Sequence, residues 1–130
     1  MKQLYFVLPA LLTFAANPLV AEQGLTCSFT TECIDTEACE ATSYDVAITH
    51  KDFTSTEDGM DASAVWTDDA TTRTLFLRSR PDILFGMWAD NDGRQFGRLM
   101  TDGAGDARYI VMDASIPMMI GYYGTCKEAE

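Results

Sequence analysis

The chain carries at residues 83–100 the stretch ILFGMWADNDGRQFGRLM, in which two apolar runs flank a tight-turn signal. Asn91-Asp92-Gly93 marks the turn, because Asp-Gly supplies the positive φ that a short hairpin connection needs. Ile83 to Ala89 and Gln95 to Met100 are therefore predicted as two antiparallel strands of one hairpin.

Similar strand patterns lie on both sides of this hairpin. Strands are predicted at Tyr44–Thr49, Asp61–Thr67, Arg73–Arg78, Ala107–Met112 and Met118–Thr125, with Leu25–Thr31 as one more candidate. Short strands separated by turn signals at spacings of about 8–12 residues are typical of an antiparallel sandwich or small barrel. We expect an all-β fold, a meander barrel or sandwich of about seven or eight strands.

Three predicted strand segments are apolar on both faces, although an antiparallel barrel normally keeps one face polar: Ile83–Trp88, Tyr109–Met112 and Met118–Tyr123. Two explanations are open. The polar, cysteine-bound segment Thr31–Ala41, which has room for one helical turn, covers the outer face of these strands. Alternatively, apolar surface stays exposed for a partner. The covering segment is the explanation we favour.

Four cysteines predict a two-disulfide framework. Cys27, Cys33 and Cys39 follow a C-x5-C-x5-C spacing, and Cys126 stands alone near the end of the chain. Three connectivities are possible. Pairing Cys27 with Cys126 and Cys33 with Cys39 is favoured because it joins the first and last strands and pins one loop, but the other two stay open.

Residues 1–21 have the form of a secretory signal peptide, with Lys2 before the apolar run Leu4–Ala16 and a small residue, Ala21, at the cleavage position. Cleavage there leaves residues 22–130 as a single β domain. The apolar run is short for a transmembrane segment, so no stable membrane anchor is expected after cleavage. A periplasmic or secreted location is predicted.

Charge is unevenly distributed along the chain. It has 20 acidic and 9 basic residues, a formal net charge of −11, and its first half is the more acidic. Such a surface repels nucleic acid and attracts a cationic protein or envelope component. The candidate partner surface consists of acidic residues near the middle of the chain: Asp58, Asp61, Asp68 and Asp69.

Aromatic residues provide a second candidate contact surface. Trp66, Trp88, Tyr122 and Tyr123 offer contact area to a partner, although core packing is the interpretation that we favour for them.

No residue pattern predicts a catalytic, metal or cofactor site. His50, the only histidine, has Asp45 and Asp52 nearby, but it is expected at a polar strand end exposed to solvent. The methionines lie mostly in predicted strands, which favours core filling over Cu(I) binding. A non-enzymatic binding or interaction domain is therefore the favoured hypothesis.

Two other functions stay open. One is a carrier of a lipid or small apolar ligand with a calycin-like barrel, which requires an internal cavity. The other is a hydrolase that uses two converging carboxylates with raised pKa values.

Three resemblances accompany these patterns. Cys27-Ser28-Phe29-Thr30-Thr31-Glu32-Cys33, Glu37-Ala38-Cys39 and Gly124-Thr125-Cys126 are similar to an uncharacterised family of small exported proteins from marine-type alphaproteobacteria, which implies no activity. Gly86-Met87-Trp88 looks like the G-x-W motif of lipocalins. Size, export and charge resemble the small, acidic, disulfide-tied barrels that inhibit c-type lysozymes in the periplasm. That last resemblance implies a lysozyme as the cationic partner.

Overall fold

The computed structural model describes residues 24–130, which form eight antiparallel strands. In chain order the strands are β1 (Leu25–Ile34), β2 (Glu40–Thr56), β3 (Gly59–Thr67), β4 (Thr72–Arg80), β5 (Ile83–Ala89), β6 (Gln95–Asp102), β7 (Asp106–Asp113) and β8 (Met118–Glu128). The described part of the chain contains no helix. The all-β prediction is confirmed.

The sheet closes on itself as a barrel. Each strand pairs with the next in sequence, and β1 also pairs with β8 in antiparallel register, with Leu25 opposite Glu128. Closure leaves no strand edge for a further strand to join along the paired segments. Of the two predicted architectures, the meander barrel is the one observed.

Both disulfides have the favoured connectivity. Cys27 and Cys126 are directly opposite each other on β1 and β8 and are bonded across the barrel seam. Cys33 and Cys39 are bonded across the turn between β1 and β2. Two such bonds indicate an oxidising environment outside the cytoplasm. The predicted signal peptide, residues 1–21, lies outside the described residues.

The barrel interior is filled by large side chains. Strand alternation turns every second residue inward, which buries Trp66 on β3, Leu75 and Leu77 on β4, and Leu99 on β6. Trp88 is 6% exposed. Core packing of both tryptophans agrees with the favoured interpretation, but that interpretation is wrong for Tyr123, which is 43% exposed, and Tyr122 is half-buried.

Space for the Trp88 ring comes from the residue opposite it. Gly97 faces Trp88 in the β5–β6 register. A Cβ atom at Gly97 would lie 2.2 Å from the Nε1 atom of Trp88. Because only glycine lacks that atom, Gly97 lets the ring lie flat against the barrel wall.

The strand β2 is longer than predicted. It continues through His50, where the expectation was a polar strand end, and reaches Thr56. The register shifts between His50 and Asp52, which marks a β-bulge. A bulge breaks the period-two alternation that sequence patterns rely on, and so the second half of the strand escapes prediction.

The prediction that Thr31–Ala41 covers the outer face of the last strands is wrong. Residues 31–34 continue β1, and residues 40–41 begin β2. The outer side chains of the later strands are exposed instead, with Met100 at 44% and Tyr123 at 43%. The alternative explanation, exposed apolar surface, describes the structure.

Candidate functional site

The four candidate aspartates do not form one surface. Asp58 and Asp61 lie where β2 turns into β3, whereas Asp68 and Asp69 lie where β3 turns into β4. Asp61 and Asp68 are separated by the length of β3, roughly 24 Å for seven strand residues. The two pairs therefore occupy opposite ends of the barrel.

Asp58 and Asp61 are engaged by arginines of β4. The Nε and Nη2 atoms of Arg78 donate hydrogen bonds of 3.0 and 3.1 Å to the two carboxylate oxygens of Asp61. Arg80 forms ion pairs of 3.3 Å with both aspartates. The hydrogen bond from Arg78 lowers the pKa of Asp61. These partners already balance much of the negative charge at this end.

Asp68 is held at the opposite end by five hydrogen bonds. The hydroxyl of Tyr44 and the indole Nε1 of Trp66 donate to one carboxylate oxygen. The backbone amides of Ala70 and Thr71, at 2.9 and 2.7 Å, and the Thr71 hydroxyl donate to the other. Burial would raise the pKa of Asp68, but these hydrogen bonds outweigh it and lower the pKa to about 2. The carboxylate therefore stays charged throughout the physiological pH range.

An aromatic cluster leads from the barrel core to Asp68. The ring centroids of Trp66 and Tyr109 are 4.4 Å apart, and those of Tyr109 and Tyr122 are 5.8 Å apart. The rings of Tyr44 and Tyr122 are 4.9 Å apart. Trp66 and Tyr109 are buried, whereas Tyr44 and Tyr122 are half-buried. The cluster thus reaches the surface through Tyr44 and Tyr122.

Each of these two tyrosines is coupled to a carboxylate. Burial, followed by the hydrogen bond to Asp68, raises the pKa of Tyr44. Burial, followed by a hydrogen bond to Glu32, raises the pKa of Tyr122. Both phenols therefore remain protonated. We call Glu32, Tyr44, Asp68 and Tyr122 together the aromatic mouth.

The turns around the aromatic mouth are acidic. In an antiparallel meander, the β1–β2, β3–β4, β5–β6 and β7–β8 turns share one end of the barrel, which we call the acidic end. These four turns hold six carboxylates (Asp35, Glu37, Asp68, Asp69, Asp90 and Asp92) and one arginine, Arg94. The turns at the other end hold three carboxylates, Glu57, Asp58 and Asp82.

The acidic end is tied together by backbone contacts between its turns. The amide of Asp35 donates to the carbonyl of Met119 at 2.8 Å, and the amide of Ala114 donates to the carbonyl of Arg94 at 2.7 Å. Hydrogen bonds from turn amides also hold Asp68 and Asp90 in place. The linked turns and the carboxylate of Asp90 are thereby held in place relative to the mouth.

The remaining sequence candidates occupy separate places. His50 is half-buried on β2, opposite Ala64 on β3. Met60 packs against the core, but Met87 and Met100 are each 44% exposed on the outer face. Their predicted core role is therefore wrong. Across residues 24–130, no group of three His, Cys, Asp or Glu side chains is arranged to hold a metal ion.

Comparisons with known proteins give no family: no family model, no curated protein and no solved structure matches the chain. Among the described residues, no helix is long and apolar enough to cross a membrane.

Sequence patterns missed part of the mouth. Tyr44 was recognisable as an inward strand residue, and Asp68 as a turn residue, but they are 24 residues apart. Glu32 belongs to the segment Thr31–Ala41, which the sequence predicts to be a loop. Only strand register brings Glu32 opposite Tyr122.

Proposed function

We propose that the protein is an exported, non-enzymatic binding domain that engages a cationic partner, such as a lysozyme or another cationic envelope protein, through its acidic end. The observation that carries the proposal is the aromatic mouth at the end of the barrel whose turns hold six carboxylates. Asp68 carries a charge fixed by hydrogen bonds, and two half-buried tyrosines lie beside it. Aromatic faces and carboxylates together suit the ammonium or guanidinium group of a lysine or arginine.

The electrostatics favour charge recognition over proton transfer. The carboxyl groups whose pKa values depart from the ordinary range, those of Asp61, Asp68 and Asp113, are all shifted downward. A general acid needs the opposite shift. A periplasmic or secreted location fits both the disulfides and the expected signal peptide.

The filled interior gives the carrier alternative less support. Trp66 and Tyr109 occupy the space between the barrel walls, and the Trp88 indole donates a 2.9 Å hydrogen bond to the Tyr109 hydroxyl. A carrier needs room for most of its ligand in such a space. We therefore assign recognition to the barrel surface.

Titration calorimetry with a c-type lysozyme tests this proposal. The matched control partner is the same lysozyme with acetylated lysines, which keeps its shape and loses much of its positive charge. We expect binding to native lysozyme that weakens as salt is added, and much weaker binding to the acetylated form.

Two variants of the same charge change locate the surface. Asp69→Lys lies on an acidic-end turn, and Asp82→Lys lies on an exposed turn at the other end. We expect Asp69→Lys to weaken binding by about tenfold, which corresponds to roughly 1.4 kcal/mol, and Asp82→Lys to have a smaller effect. If the two variants weaken binding equally, the acidic end is not the binding surface. Failure of native lysozyme to bind would remove lysozyme as the partner.

A further inference from the structure

The outer surface of β4 to β8 presents a band of large apolar side chains. In the middle row, Phe76, Met87, Arg98 and Ile110 stand directly opposite one another across β4, β5, β6 and β7. Phe76, Met87 and Ile110 are 39–44% exposed. We call this row and its two neighbouring rows on β4 to β8, which contain Met100 and Met112, the outer band.

The outer band continues above and below this row. Met100 and Tyr123 lie on one side, and Met112 and Met119 lie on the other. All four are exposed. Contiguous exposed apolar surface of this kind on a soluble domain marks an interaction site.

The composition of the band is that of a protein interface. Aromatic residues, methionine and arginine are the residues enriched in interface cores, where aspartate, glutamate and lysine are depleted. Across β4 to β8, the three rows that contain Met87, Met100 and Met112 include no acidic residue, although the chain has 20. By contrast, the outward residues of β1 and β2 include Ser28 and Asp45.

Arg98 stands at the centre of this band, in the middle row of the middle strand. The ion pairs among residues 24–130 all involve Arg78 and Arg80, so Arg98 and its neighbour Arg108 form none there. The Arg98 guanidinium lies over the Phe85 ring, 5.1 Å from its centroid. A cation–π contact of this kind does not use up the five N–H donors of the guanidinium, which stay available to an anion.

A groove lies beside Arg98. Strands β4 and β5 are paired only up to Phe76 and Met87, and beyond that point they separate. The separation opens a groove of about 580 Å³ whose lining includes Phe76, Met87 and Phe96. Because Met87 is the direct neighbour of Arg98 on the next strand, the groove and the cation form one continuous surface.

We infer that the outer band binds an acidic protein partner, which places a carboxylate against Arg98 and an apolar side chain in the groove. Arginines paired with carboxylates and large apolar side chains seated in pockets are enriched among the residues that carry most of the binding energy of an interface. This surface is distinct from the acidic end and takes a partner of the opposite charge.

Arg98 argues against two other occupants. A second copy of the chain packed on the band with its two-fold axis near Arg98 would bring two Arg98 side chains together without a carboxylate. A lipid bilayer that covered the band would bring Arg98 into its apolar region at a cost. An acidic protein partner satisfies the charge that both alternatives leave unpaired.

A set of capped peptides serves as the probe. Each peptide places one residue between a phenylalanine and a leucine in an extended segment, and that residue is glutamate, glutamine or lysine. Binding is followed by amide chemical shifts of the isotopically labelled protein. We expect the glutamate peptide to cause saturable shifts on β4 to β6 and to bind at least about tenfold more tightly than the glutamine peptide.

Charge reversal identifies the contact. We expect the Arg98→Glu variant to lose its binding of the glutamate peptide and to bind the lysine peptide instead. A structural defect would not produce this exchange of preference. Lys127→Glu makes the same charge change on β8, away from the band, and is expected to bind the glutamate peptide like the unmodified protein. Dispersed amide spectra verify that both variants are folded.

Several results would overturn the inference. They are equal affinity for the glutamate and glutamine peptides, the absence of saturable shifts at millimolar peptide, or shifts confined to the acidic end. Binding of the protein to phosphatidylglycerol vesicles through the band would identify a bilayer instead. A concentration-dependent dimer that protects the band would identify a second copy. None of these results depends on whether lysozyme binds the acidic end.

Discussion

Removal of the Cys27–Cys126 disulfide should destabilise the protein far more than removal of the Cys33–Cys39 disulfide. The two bonds span 99 and 6 residues of sequence. In the loop-closure account, a disulfide stabilises the fold by restricting the unfolded chain. The effect grows with the logarithm of the number of residues in the closed loop. A loop of about 100 residues gives about 4.7 kcal/mol, and the same expression gives about 2.2 kcal/mol for six residues.

Packing adds to the contrast between the two bonds. Cys27 is fully buried and Cys126 is 9% exposed, so their replacement also removes buried sulfur atoms from the core. Cys39 is exposed in the β1–β2 turn. A domain of this size is typically stable by about 5–15 kcal/mol. Loss of the long-range bond therefore brings the barrel close to marginal stability.

The assay is urea unfolding of two matched double variants, Cys27→Ala/Cys126→Ala and Cys33→Ala/Cys39→Ala, followed by the fluorescence of the two buried tryptophans. We expect losses of about 5 and about 2 kcal/mol in the free energy of unfolding. Fully reduced protein should lose about 7 kcal/mol if the two effects add. Equal losses, or a larger loss for Cys33–Cys39, would refute the loop-closure reasoning.

Three further predictions concern the aromatic mouth and the core. The pKa of Asp68 falls from 3.8 to about 2 on folding. The charged carboxylate therefore stabilises the fold above about pH 4, and this contribution is lost as the pH falls toward 2. After allowance for solvent screening, Asp68→Asn should remove about 1 kcal/mol of this pH-dependent stability, measured by urea unfolding. Tyr44→Phe removes one hydrogen bond to Asp68 and should lower the free energy of unfolding by about 1 kcal/mol. An unchanged free energy of unfolding would mean that water replaces this hydrogen bond. Gly97→Ala forces a Cβ atom against Trp88 and should cost about 1–3 kcal/mol in thermal unfolding, whereas Gly103→Ala, with nothing closer than 3.9 Å, should cost far less.

The hairpin at residues 83–100 is predictable because its signals are local. Asp92-Gly93 indicates a turn with positive φ, and Gly93 has a φ of +66° in the structure. The flanking runs form β5 and β6, with Ile83 opposite Asp102. Turn chemistry and strand alternation each depend on neighbouring residues, so one sequence is enough to read them.

Barrel closure and strand length depend on more distant residues. A sandwich and a barrel share the same local pattern, and the pairing of β1 with β8 decides between them. The bulge between His50 and Asp52 shifts the register of β2. The strand then continues with its alternation displaced, and a period-two pattern read from sequence ends too early.

The outer band shows a different limit of sequence reading. Met87, Met100 and Met112 lie in correctly predicted strands, yet they face solvent and not the core. When both faces of a strand are apolar, the alternation does not tell which set of side chains is buried. The volume of the barrel interior decides, since Trp66, Trp88 and Tyr109 already fill it and force the methionines outward.

Closure of the barrel determines how the protein can recognise a partner. A closed sheet offers few unpaired backbone groups, so side chains at the ends and on the outer face must supply the contacts. The acidic end and the outer band differ in the sign of their charge and in their apolar content. Salt should therefore weaken binding at the acidic end strongly, whereas binding at the band, which combines one central ion pair with apolar burial, should respond less. From the two proposals together we expect one protein to bind a cationic and an acidic partner at the same time, and the salt dependence of each binding event would assign it to its surface.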